Sequence, residues 1–126
     1  MAATAVAHLG VTIIAAATPV LTFVEFQQDG VGIIDGLDGA ISVTVSPDGK
    51  NIYAAGFNDN AVAVFSRNST TGALTFVEIQ KDGVGTVDGL FSAVSVTVSP
   101  DGNNVYAAGL NDAAVAVFNR PRPRVH

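Results

Sequence analysis

The sequence predicts an all-β protein built from two near-identical four-stranded antiparallel meanders. Three observations predict it: an internal repeat with a 53-residue offset from Leu21 to Leu74, short β-branched and aromatic runs separated by Gly, Pro, Asn and Asp, and runs that are apolar or small on both faces.

The repeat spans residues 21–67 and 74–120. Of 47 aligned positions 12 differ, among them Asp38/Phe91, Gly39/Ser92 and Asn60/Ala113. Within one repeat the expected strands are Ile41–Ser46, Asn51–Phe57, Ala61–Ser66 and Leu74–Gln80. Turn chemistry bounds them: Ser46-Pro47-Asp48-Gly49, then Asn58-Asp59-Asn60, then Asn68 to Gly72.

Val43 and Val45 alternate only with Ser42 and Thr44, and Ala61 and Ala63 only with Val62 and Val64. A sheet with one face in water would carry charges at alternate positions, so each sheet is expected to lie between neighbours. Four-stranded sheets stacked face to face at a fixed period are the blades of a β-propeller.

The repeated SVTVSPDG segment, the YAAG run after it, the AVAVF strand and Thr71-Gly72-Ala73-Leu74 resemble the lactonase-like, YVTN-type seven-bladed propellers over about residues 21–120. The resemblance makes SVTVS the innermost strand of a blade and LTFVE the outermost. The chain then reads as an outer strand at Leu21–Gln27, a whole blade at 40–80 and three inner strands at 93–119, with its ends staggered within a blade. The expected domains are an apolar extension at 1–20, a two-blade unit at 21–120 (repeats 21–73 and 74–120), and a Pro/Arg tail at 121–126.

Two blades cannot close a ring of small radius, and their open faces would expose more apolar surface than a soluble monomer tolerates. The expected partner is the chain itself, head to tail, with Leu21–Gln27 of one copy beside Ala114–Asn119 of the next. Three chains would give six blades and four would give eight. A fragment of a longer repetitive propeller, or an engineered piece, is the competing reading.

The formal charge is −5, yet three of the six basic residues, Arg120, Arg122 and Arg124, lie at the end of the chain. Residues 1–119 carry eleven acids against Lys50, Arg67 and Lys81. An acidic body argues against nucleic acid, whose phosphates require clustered Lys and Arg. With no cysteines, neither disulfides nor thiolate metal sites are available. Residues 1–20 have a faint likeness to a secretory cleavage region but lack a positive n-region, and their apolar run is too short and broken to span a bilayer. A secreted or periplasmic location has only that support, and the expectation is an apolar extension packed on the body.

The candidate ligand-binding residues are Asp29, Asp35 and Asp59 in the first repeat and Asp82, Asp88 and Asp112 in the second. The connection from outer to next inner strand and the turn between second and third strands share one rim of a propeller, so these carboxylates are expected on one rim. Calcium takes six to eight oxygens, and carboxylates on glycine-rich bends suit it. The opposing reading is that the aspartates hydrogen-bond loop backbone. Asp48 and Asp101 are expected to serve their turns, Tyr53 and Tyr106 to lie in the core with hydroxyls at an edge, and Asn68-Ser69-Thr70 to be a chance glycosylation pattern.

No catalytic residues are assigned. His8 and His126 lie outside the repeats, so no Ser-His-Asp arrangement sits on the blades. The resemblance implies that enzymes of the family place His, Arg and Glu in the central channel. Here the repeats offer Arg67 and Arg120 only at the end of the third strand, and Glu25 and Glu78 only on the outermost. The expected function is a non-enzymatic, self-assembling propeller module with an acidic rim. The alternative is a lactonase-like hydrolase or isomerase.

Overall fold

The computed structural model describes residues 20–121 in full, together with the backbone of β1 (Thr4–Val6) and β2 (Thr12–Ile14). β1 and β2 pair antiparallel. The expected packing of residues 1–20 on the body, His8, His126 and the tail beyond Pro121 lie outside the described residues.

The first repeat forms one antiparallel sheet, β3 (Ala40–Val45), β4 (Asn51–Gly56), β5 (Ala61–Arg67) and β6 (Leu74–Lys81), each strand pairing with the next. The second forms β7 (Ala93–Val98), β8 (Asn104–Gly109) and β9 (Ala114–Asn119) in the same order. Each boundary falls within one residue of the expected one. The protein is all-β, and its sheets are propeller blades of four and three strands.

Local chemistry explains the hairpins. In the β3–β4 turn the amide of Gly49 donates to the Ser46 carbonyl at 2.8 Å, and Gly49 takes a φ of 74° that favours glycine. The Asp48 carboxylate accepts from the Ser46 hydroxyl at 2.6 Å and the Lys50 amide at 2.9 Å. Ser99, Asp101 and Asn103 repeat the arrangement in β7–β8.

The two sheets stack, with β7 lying on β3 and β4. Tyr53, Ala55 and Val62 of the first sheet meet Ala93, Val96, Val105, Ala107 and Ala116 of the second, with Leu90 of the connecting loop between them. Small residues let the sheets come close, and burial of these side chains is the main favourable term. The approach of the loop is closer still. A Cβ on Gly56 would collide with the carbonyl oxygen of Gly36, and one on Gly109 with that of Gly89.

Equivalent residues meet different fates on the outer faces. Val96 is 5% exposed and its counterpart Val43 is 67% exposed; Val62 is 2% exposed and its counterpart Val115 is 64% exposed. Val96 and Val62 are covered by the neighbouring blade, and Val43 and Val115 face outward on either side of the pair.

Leu21–Gln27 departs from expectation. It forms no strand within the chain, where β9, whose counterpart in another copy was its expected partner, remains an edge of its own sheet. It lies instead against the first sheet near Leu37, Val43, Phe65 and Leu74. Side chains hold it there: Glu25 accepts from the Leu74 amide at 2.8 Å, and the Gln27 amide donates to the Leu74 carbonyl at 3.0 Å.

Candidate functional site

The six aspartates gather as two triads, one per repeat. Asp29, Asp35 and Asp59 each offer a carboxylate oxygen within 4.8 Å of the others, and Asp82, Asp88 and Asp112 do the same. The loop before the innermost strand supplies the first two of each triad, and the turn between the second and third strands supplies the last. Backbone bonds bring loop and turn together: Phe57 donates to Gly39 at 3.0 Å and Asn58 to Asp38 at 3.0 Å, with Leu110 to Ser92 and Asn111 to Phe91 as the second set.

Each carboxylate also has a local task. Asp29 accepts from the Leu37 amide at 3.1 Å, Asp35 from Gly36 at 2.8 Å, and Asp59 from Asp38 at 3.0 Å. Asp82, Asp88 and Asp112 accept from Leu90, Gly89 and Phe91 at 3.0, 2.8 and 3.1 Å. The loop-holding role read from the sequence is therefore present at all six. Each side chain is left with a second oxygen, so a triad has the hard donors that a divalent cation takes.

At the same rim Asn60 ties the blades together. Its carbonyl accepts from the Asp82 amide at 2.9 Å, and its side-chain oxygen accepts from the Ser92 amide at 2.8 Å. Asn60 has a φ of 53°, in the left-handed region that Asn enters more readily than most residues. Ala113 stands at the equivalent place with a φ of 49°.

The opposite strand ends carry a feature missed in the sequence. Arg120, at the end of β9, donates to both Asp48 oxygens at 2.8 and 2.7 Å, to the Tyr53 hydroxyl at 3.0 Å, to Asn51 Oδ1 at 3.0 Å and to the Gly102 carbonyl at 3.1 Å. The Arg120 hydrogen bond, then those from Ser46 and the Lys50 amide, hold the Asp48 carboxyl well below the usual carboxylate range. Burial pulls the Arg120 guanidinium down, but its bonds to Asp48 and Tyr53 outweigh this and raise it. Asp48 thus joins two blades as well as closing its turn. The available signal was the shared 53-residue spacing of Arg67/Arg120 and Asp48/Asp101; what hid it was that the pair crosses from one repeat to the other.

Tyr53 is buried with its hydroxyl at the blade edge, as expected. Glu25 is held below its usual value first by the Leu74 amide and then by Gln27. Asn68 uses its side-chain oxygen to accept from the Thr70 and Thr71 amides, which makes it the organiser of its own turn. No helix among the described residues is long and apolar enough to cross a membrane.

No curated protein matches the chain. Among solved structures it resembles a candidate 6-phosphogluconolactonase from Bacteroides fragilis (TM-score 0.59, 23% identity, 87% of this chain and 29% of that one). A second, from Bacteroides uniformis, gives a TM-score of 0.58 and 25% identity over 86% of this chain and 30% of that one. A functionally unknown protein from Desulfotomaculum acetoxidans gives 0.53 and 22% over 92% and 29%. The chain therefore spans about three tenths of each of these relatives. Residues 33–123, from the loop before β3 to beyond β9, match the family of lactonases with seven-bladed β-propellers, and the chain belongs to that family.

Proposed function

We propose that this chain is a two-blade unit that assembles head to tail with further copies of itself, as a binding or structural module rather than an enzyme, and presents an acidic rim to a cationic ligand. The observation that carries this reading is the contrast between equivalent residues, Val96 against Val43 and Val62 against Val115. The same side chain is buried where a blade covers it and bare where none does. Another copy supplies the missing cover on each side at once, because the face that bears Val115 matches the face that bears Val43. Three or four chains make rings of six or eight blades.

Mass of the native assembly by light scattering tests this. Particles of three or four times the 12.8 kDa chain are expected. A stable monomer with a cooperative melting transition would overturn the reading.

Family membership and the Bacteroides likenesses favour a second reading, lactone hydrolysis. Against it stand eleven acids and three bases in residues 1–119, a poor field for a phosphorylated sugar lactone. Lactone hydrolysis by the purified protein that is lost in Asp35→Asn and kept in Arg122→Ala would establish this second reading.

A further inference from the structure

The bonds that join the two blades have their own repeat counterparts, and these fall on the outward faces. Arg67 is the counterpart of Arg120. Like Arg120, it donates from Nη1 to the glycine carbonyl of its own blade's turn, Gly49 at 3.0 Å, just as Arg120 donates to Gly102 at 3.1 Å. The rest of the Arg120 guanidinium reaches the neighbouring blade at Asp48, Asn51 and Tyr53. The counterparts of those three are Asp101, Asn104 and Tyr106. Asp101 is fixed by Ser99 and Asn103 as Asp48 is by Ser46 and Lys50.

A second pair of halves follows the same rule. Glu25 and Gln27 clasp the backbone of Leu74, and their counterparts Glu78 and Gln80 bond to each other in the same way. One repeat on, the matching backbone is that of Leu21.

We infer that Arg67 of one copy closes on Asn104, Tyr106 and the Asp101 turn of the preceding copy, with Glu78 and Gln80 clasping Leu21 of the following copy. This rests on the assembly proposed above and names the polar contacts that set its partner and register. Apolar faces alone would let any hydrophobic surface stick. A planar guanidinium anchored on its own Gly49 carbonyl that must meet an amide and a phenol at once admits only a surface with the same spacing. The joint between copies lacks one bond of the internal one. Ala113 replaces Asn60, so the bond that Asn60 makes to the Ser92 amide has no equivalent there.

The test is a double-mutant cycle on subunit dissociation of the full chain, followed by native mass over a dilution series, with Arg67→Ala, Tyr106→Phe and the double variant. Tyr106→Phe leaves the Gly49 bond and the Tyr106 ring in place, so it reports the contact even if Arg67→Ala disturbs its own turn. The expected result is a dissociation constant raised at least about tenfold by Arg67→Ala and about threefold by Tyr106→Phe, with a double variant no worse than Arg67→Ala. Oligomers that tolerate Tyr106→Phe unchanged, or effects that simply multiply, would overturn the clamp and leave the assembly reading standing. A monomeric parent protein would overturn both.

Discussion

Arg120 at the end of β9 and Asp48 in the β3–β4 turn form an ion pair in which Nη2 meets both carboxylate oxygens, at 2.8 and 2.7 Å, and which fastens one blade to the next. Exposed ion pairs contribute little, but the Arg120 side chain is 7% exposed and also holds Tyr53, Asn51 and Gly102. Removing it takes the counter-charge from Asp48 and leaves the Tyr53 and Asn51 acceptors without this partner.

Arg120→Ala is accordingly expected to lower unfolding stability by about 2–4 kcal/mol, measured by urea denaturation. Arg120→Lys restores only part of this, because one ammonium cannot reach Asp48, the Tyr53 hydroxyl, Asn51 and the Gly102 carbonyl at once. Full recovery by Lys would mean that charge alone matters at the joint.

The depressed Asp48 carboxyl sets an acid limb. A group whose folded pKa lies below its unfolded one contributes stability above the unfolded value, here about 4, and loses it as pH falls toward the folded value. Stability should therefore fall below about pH 4 in the parent protein, and Asp48→Asn should be less stable at neutral pH with a flatter acid limb. Parallel stability curves for the two would assign the acid sensitivity to other carboxylates.

Ala113 occupies the left-handed region without the hydrogen bonds that Asn60 gains there. Ala113→Gly should raise stability by about 0.5–1 kcal/mol, whereas Asn60→Ala should lower it by about 1–2 kcal/mol. Thermal unfolding of the two variants checks the opposite signs.

Gly56 faces the Gly36 carbonyl, which is backbone and cannot swing aside. Gly56→Ala should therefore cost about 3 kcal/mol, the upper end for overpacking, and disturb the first Asp triad through the displaced loop.

If the triads hold calcium, the ion should raise the melting temperature by an amount that Asp29→Asn/Asp82→Asn abolishes. No shift at millimolar calcium would leave these aspartates their loop-holding bonds alone.

The blades were legible because their signals are local. Alternation, SPDG turns and small-residue strands placed β3–β9 within a residue, and the 53-residue repeat revealed that the units are alike. The six aspartates could be named from the sequence because Asp29, Asp35 and Asp59 belong to adjoining connections of one blade, but their grouping by threes emerges only in the fold. What escaped was chemistry between blades. Arg120 and Asp48 are 72 residues apart, and only the stacking of the sheets makes them neighbours. Leu21–Gln27 forms no strand within one chain, because a strand is defined by its ladder partner and the partner expected for it lies in another copy.

Strand exchange is the central claim, and a cross-link tests it most directly. Ser66 pairs with Thr75 in the complete blade, so the same register places Asn119 of one copy opposite Thr22 of the next. Directly opposed strand residues lie within disulfide reach, and the chain has no cysteine of its own to compete. Thr22→Cys and Asn119→Cys, purified separately, mixed and mildly oxidised, should give a disulfide-linked pair containing one chain of each. Homodimers alone, or no cross-link at concentrations where the parent protein is oligomeric, would contradict the proposed exchange.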